Sequence, residues 1–300
     1  LGAGGFSVSH PEIPTGPFIY SAMFILQAVL NGLFVGSVYG LIALGLTIVF
    51  GVMKIINFAI GSLLMLSMFA TFWITTLTGA NLYLSLLFVV PFMFFLGYGV
   101  QKYLIKSVLI SEHDQREPIG VLLLTSGLWI FLDNMTMLIF GPDYRALGNP
   151  FENANWIIAN ALLINKARFV AFFLSLTTAV VIYLFLKSTE LGRAIRAVGQ
   201  DRSMAGLLGI NVFKVYNIAF GLSTCAVGVA GTALSAFYYV HPNVGLPFGI
   251  KSFIIVVLGG LGSIWGAFLA GLLIGLIESV GAQFIAATAT EGVIYLFFLL

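Results

Sequence analysis

Apolar residues run through the chain in long stretches, interrupted by short polar clusters and by Gly, Pro and Asn. Cutting at those interruptions leaves apolar segments near 20–52, 55–77, 82–105, 119–140, 168–187, 215–240, 250–281 and 292–300. A helix crosses ~30 Å of hydrocarbon with ~20 such residues. Stretches such as Val170 to Leu186 are apolar on every face, whereas a membrane barrel strand alternates over about ten residues, so the pattern predicts helices. The expected architecture is an all-α polytopic membrane protein with about eight or more transmembrane helices, some discontinuous or re-entrant. The first segment fits one tilted helix or two pieces joined near Gly36 to Gly40. Segment 250–281 is over-long, and Gly259-Gly-Leu-Gly-Ser-Ile-Trp-Gly266 predicts a break or re-entrant turn inside it. Residues 1–19 read as an N-terminal extension and 20–300 as one transmembrane domain.

Composition strengthens this picture. The 300 residues are 60% hydrophobic and 8% charged, where soluble chains carry about 25% charged residues, and mean hydropathy is +1.08. The net charge of +2 points to no nucleic-acid partner. One cysteine, Cys225, lies in an apolar run, which excludes an internal disulfide and reads as a packing residue. Basic residues in short loops orient the chain. Lys102, Lys106 and Arg116 flank a loop at 106–118, and Lys187, Arg193, Arg196, Arg202 and Lys214 flank one at 188–214. Two crossings separate these loops, so both fall on the cytoplasmic side. The intervening loop with Tyr144 and Trp156, and the turn beginning at His241, then lie outside.

The second basic loop holds a polar island from Glu190 to Ile210. Asp201 stands where an N-cap belongs and Gly209 where a left-handed residue ends a helix. Arg202 to Leu208 then form about two turns, with Met204, Leu207 and Leu208 as an apolar stripe. Arg193 and Arg196 are placed on the cytoplasmic extension of the fifth long helix, within reach of lipid phosphates or a partner's carboxylates. A plain basic loop would satisfy the orientation rule, but it has no need to present three large apolar side chains to water. Such a patch fits a groove on another protein.

The island, Glu190-Leu-Gly-Arg-Ala-Ile-Arg-Ala-Val-Gly-Gln-Asp-Arg-Ser-Met-Ala-Gly-Leu-Leu-Gly-Ile-Asn211, resembles the cytoplasmic loop of permease subunits of branched-chain amino acid ABC importers. Tyr39 to Met53, Ile56-Asn-Phe-Ala-Ile-Gly61, Thr125-Ser-Gly-Leu to Asp143 and Gly259 to Gly266 carry the same likeness, in family order along nearly the whole chain. The resemblance implies a bacterial inner-membrane, multi-pass importer subunit. It implies ATPase coupling through Glu190, Gly192, Arg193, Arg196, Asp201, Met204, Leu207, Leu208 and Gly209. Its implied partners are a second homologous permease, two cytoplasmic ATPase subunits that hold ATP and Mg, an external substrate-binding protein, and membrane lipid. The family usually has His or Gln between the Ala and Gly of Asn-Phe-Ala-x-Gly; Ile60 stands here, so position 60 offers no polar contact to substrate.

Paired breaks in corresponding places point to a pathway built from discontinuous helices. Gly51 to Gly61 interrupts the first half much as Gly259 to Gly266 interrupts the second. The candidate translocation residues are Asn57, Phe58, Gly61, Asp133, Asn134, Gly259, Gly260 and Gly262. Asn57 either repairs backbone freed by the break or faces the substrate path. Asp133 and Asn134 fit helix-to-helix hydrogen bonding, a relay or an ion site. Glu278 and Glu291 bracket an outer turn and read as solvated, while Lys251 reads as snorkelling at the outer face. Gly228-Val-Ala-Gly231 and Gly271-Leu-Leu-Ile-Gly275 read as small-residue packing faces.

No metal-ligand spacing, nucleophile motif or P-loop occurs, so neither a cofactor nor catalysis is expected of this chain. The rival to a subunit powered by a separate ATPase is a stand-alone secondary transporter or channel, with Asp133 as coupling-ion site.

Overall fold

The computed structural model describes residues 17–111, 119–148, 155–158, 162–284 and 292. Segment 292–300 lies almost wholly outside these, as do His113, Arg116 and Glu291. In chain order the elements are α1 (Pro17–Met53), α2 (Ile60–Thr78) and α3 (Leu86–Gly99), which continues through a π-helical turn (Val100–Ile105) into α4 (Lys106–Ser111). Then come α5 (Ile119–Phe140), β1 (Asn155–Ile158), β2 (Leu162–Asn165), α6 (Lys166–Ser188), α7 (Glu190–Gln200) and α8 (Arg202–Leu207). The chain continues with α9 (Val212–Leu234), α10 (Gly245–Gly259) and α11 (Ile264–Phe284). Among the described residues, seven helices are long and apolar enough to cross a membrane, and α10 is a shorter apolar helix.

The first segment is one helix. Gly32, Gly36 and Gly40 do not break α1; they line the face that meets α11, where a Cβ on Gly271 would collide with Gly40 and one on Gly275 with Gly36. Each helical glycine costs ~1 kcal/mol relative to alanine, and here the return is backbone-to-backbone contact between two long helices. The other small-residue face also packs as expected: Gly231 of α9 lies against Leu64 and Ser67 of α2, and Gly228 lies against Met93 of α3.

The described ends of the two basic loops are on one face. Lys106 of α4 sits 5.2 Å from the ring centre of Phe213, at the start of α9, which places the ends of the two loops side by side. On the opposite face Arg145 and Val240 exchange two backbone hydrogen bonds of 2.9 and 2.8 Å. The Arg145 guanidinium donates to the Phe140 carbonyl and packs among the rings of Phe69, Phe72, Trp73 and Phe140. The loop between α5 and α6 contains an antiparallel hairpin, with Trp156 opposite Ile164. Its four-residue strands are too short to stand out against neighbouring apolar runs. The hairpin feeds directly into α6, whose N-cap Asn165 accepts from the amides of Ala167 and Arg168 at 3.0 and 3.2 Å.

Glu278 and Lys251 depart from the sequence reading. Lys251 does not snorkel and Glu278 is not simply solvated: the Lys251 Nζ lies 2.8 Å from Glu278 Oε1, with the two side chains 6% and 25% exposed. The Tyr39 ring of α1 is 5.3 Å from the same ammonium. The break after α10 explains the pairing, because it folds α10 back against α11 as an antiparallel pair. An unpaired charge there would cost several kcal/mol, so each finds the other across the pair.

Candidate functional site

The break between α1 and α2 starts at Lys54, a non-glycine residue at φ 57°. The backbone leaves the helix there and re-enters one at Ile60. Asn57, 1% exposed, holds this turn: its Oδ1 accepts from the Ala59 amide at 3.1 Å. That bond fixes which end of the amide is oxygen. The other end, Nδ2, is buried with no hydrogen-bond partner among the described residues, and Asn57 stands in the wall of a cavity of about 200 Å³. The Oδ1 end thus repairs backbone freed by the break, while the Nδ2 end has no partner in the cavity wall.

Phe58 and Gly61 line this cavity too, with Leu46, Ile56, Trp129, Leu246, Ile250 and Phe253. Its remaining glycines, Gly245 and Gly249, belong to α10. The helices α2 and α10 cross at their first turns, so close that a Cβ on Gly61 would collide with the Gly245 carbonyl and the reverse. Neither helix N-terminus has a side-chain cap. The sequence reading missed this half of the site because it began the last long segment at 250. Gly245-Leu-Pro-Phe-Gly249 carried a usable signal, since proline fits the first turn of a helix, where its missing N–H is not needed.

The other candidates divide. Asp133 accepts from Ser62 Oγ at 2.6 Å and from Trp129 Nε1 at 2.7 Å, joining α5 to the first turn of α2 beside the cavity. Asn134 is exposed on α5 and donates to the Ile130 carbonyl of its own helix. Gly260 and Gly262 have φ of 88° and 93° and make the turn between α10 and α11. Gly262 lies against Gly51, and Gly259 packs against Gly266. This second break is at the basic face, where Gly262 lines a separate crevice of about 510 Å³ with Lys54, Lys187 and Arg196. The two breaks thus meet at Gly51 and Gly262, while the cavity is shared by the other end of the first break and the start of α10.

The polar island forms an arm on that face. Arg193 and Arg196 are not on an extension of α6, because Thr189 (ψ 157°) ends that helix and caps a new one, its side chain accepting from the Gly192 amide at 2.9 Å. Gly192 is required at the bend: a Cβ would collide with the carbonyls of Phe185 and Leu186. Arg196 turns back to donate to the Leu186 carbonyl, which favours a cation at that helix C-terminus. Arg193 makes an exposed 3.7 Å pair with Glu190, worth little. Gly199 lets α7 rest on the Gly51 carbonyl at the end of α1.

Asp201 caps α8 as its position predicts, accepting from Ser203 and Met204 amides at 2.8 and 3.0 Å. The far end closes with Gly209 at φ 83°, where the Ile210 amide reaches the Ala205 carbonyl at 3.1 Å and the Gly209 amide reaches Gly206 at 3.0 Å. Both bonds together make a Schellman end. Ala205 faces inward, while Met204, Leu207 and Leu208 are 59%, 83% and 81% exposed.

Discontinuous helices around a cavity inside a polytopic bundle define a membrane permease. The chain belongs to the family described as branched-chain amino acid transport system / permease component, which it matches over residues 28–300. It is 31% identical over 275 residues to the high-affinity branched-chain amino acid transport system permease protein LivH of Escherichia coli (strain K12), covering 88% of each chain. It is 33% identical over 270 residues to the corresponding protein BraD of Pseudomonas aeruginosa, covering 86% of each. A shorter match, 25% identical over 171 residues, 53% of this chain and 51% of the other, is to the autoinducer 2 import system permease protein LsrD of Salmonella paratyphi B. No solved structure matches.

Proposed function

We propose that this chain is one half of the translocation pathway of an ABC importer for branched-chain or related small amino acids in a bacterial inner membrane. It pairs with a second, homologous permease and receives substrate from an external binding protein. The observation that carries the proposal is the α7–α8 arm. A six-residue helix closed at both ends and presenting three apolar side chains to water on the basic face is built to be covered. The family fits an ATPase subunit as its cover, with ATP and Mg held there.

Closure of the ATPases would move α8, and the rigid bend at Thr189 and Gly192 passes that motion to the ends of α6 and α1. Those ends frame the 510 Å³ crevice at the meeting of the two breaks. A push there biases the bundle between outward-open and inward-open states. The test is co-purification with an ATPase and a second permease of the same transport system, followed by ATP-driven leucine uptake in proteoliposomes. Leu207→Glu with Leu208→Glu is expected to abolish association and uptake while leaving membrane insertion intact. Normal association, or uptake by the chain alone without ATP, overturns the proposal; the second outcome would favour a secondary transporter.

A further inference from the structure

The cavity at the crossing of α2 and α10 presents donors and no acidic or basic side chain. Of the first-turn amides of α2, that of Ala59 is taken by Asn57 Oδ1 and that of Ile60 by the Asn57 carbonyl at 3.4 Å. This leaves Gly61, which lines the cavity, and Ser62, which stands outside its wall. In α10 the Val244 amide bonds the His241 carbonyl at 3.1 Å and Pro247 has no N–H, which leaves Gly245 and Leu246. Helix geometry gives none of these four an acceptor within its own helix. Two helix N-termini, each carrying roughly half a positive charge, therefore meet at the cavity. Asn57 adds an independent sign of a ligand: its side chain is 1% exposed, lines the cavity, and holds a buried Nδ2 donor with nothing to give it to. In a membrane interior an unmet donor is costly, and the two helix N-termini beside Asn57 Nδ2 turn that cost into a preference for an anion, the Asp133 carboxylate beside the cavity being already engaged by Ser62 and Trp129.

The rest of the wall consists of Ile56, Phe58, Trp129, Leu246, Ile250 and Phe253, with Leu46 and Ile60 behind. A small anion with a branched hydrocarbon tail matches both parts. We infer that this cavity binds the carboxylate of an aliphatic substrate, with Asn57 Nδ2 and the first-turn amides of α2 and α10 as its donors and the apolar wall around its side chain. The inference rests on the transport reading above and adds where the substrate is held and by which end. No acidic side chain lines the cavity, so the ammonium of an amino acid gets no partner here. An aliphatic acid without an amino group should therefore occupy the cavity, and the matching amine should not.

Phe58, 44% exposed at the mouth, allows a site-specific readout. In a Cys225→Ala background, which removes the single cysteine, Phe58→Cys is labelled with a maleimide on the assembled transporter in nanodiscs. L-leucine and isovalerate are each expected to slow labelling at least threefold, and isopentylamine to leave it unchanged. Adding Asn57→Ser, which keeps an acceptor for the Ala59 amide but deletes the Nδ2 donor, should raise the half-protecting concentration of both carboxylates at least tenfold. Asn57→Asp, which puts an oxygen at the position of Nδ2, should raise it further. An unchanged labelling rate without ligand in either variant reports an intact turn. Equal protection by isopentylamine, or carboxylate protection indifferent to both substitutions, overturns the inference. Leucine uptake is scored in parallel. Normal uptake without protection sinks the site alone; protection by isovalerate without leucine uptake upholds the site and sinks the amino-acid reading.

Discussion

Asp201 closes the N-terminus of α8 with bonds to amides two and three residues on, whereas the N-termini of α2 and α10, inside the bundle, have no side-chain cap. The same orphan amides meet opposite treatment. In water an open end costs little, since solvent satisfies it, yet there the chain supplies a complete local closure. Among hydrocarbon-facing helices an open end is expensive, yet there it is left open. On the function proposed above, the arm needs a fixed shape for a partner to grip and the junction needs unfilled donors. Two polar pairs within the bundle, Lys251 with Glu278 and Ser62 with Asp133, are instead satisfied by partners distant in the chain.

The bundle side of this contrast should break hardest. Lys251→Met strands the Glu278 carboxylate and is expected to cost about 3–5 kcal/mol, read as a collapse in folded yield and in thermal stability in detergent. Lys251→Met with Glu278→Leu should recover most of it; failure to recover would mean the pair does more than neutralise itself. Next in size are Gly61→Ala and Gly245→Ala. Each puts a Cβ into the other helix's backbone, at a cost of about 1–3 kcal/mol, and each should lower uptake while association with the ATPase stays normal. The arm should respond less. Gly209→Ala strains a left-handed position by about 1–2 kcal/mol, and Asp201→Ala loses about 1 kcal/mol of capping, while Asp201→Asn loses almost none. Faster hydrogen exchange at the Ser203 and Met204 amides would register the Asp201→Ala loss. Glu190→Ala, which removes the exposed pair with Arg193, should leave thermal stability unchanged.

What could be seen in the sequence follows the same division. The caps of α8 were legible because their donors and acceptors are two to five residues apart, and the broken segment was legible because glycine clusters mark it locally. The bend at Thr189 was missed because only one non-helical residue separates α6 from α7, and the signal was a single threonine acting through the Gly192 amide. The junction of Gly61 with Gly245 and the pair of Lys251 with Glu278 could not be read at all from local pattern. Each depends on which helices become neighbours, and a lysine or a glycine in an apolar run does not name its partner. Asn57 stood out as a polar residue at a helix break, but which end of its amide holds the turn is visible only in the geometry of that turn.

The seam between α1 and α11 sets a schedule for biogenesis. Gly36 and Gly271 touch but lie about 235 residues apart in the chain, so at ~5–20 residues per second of synthesis the grooved face of α1 waits roughly 10–50 s for its partner. During that interval α1 exposes its glycines to lipid or to whatever helper occupies them. That seam can close only when α11 arrives, so the packing of α1 is settled late in synthesis.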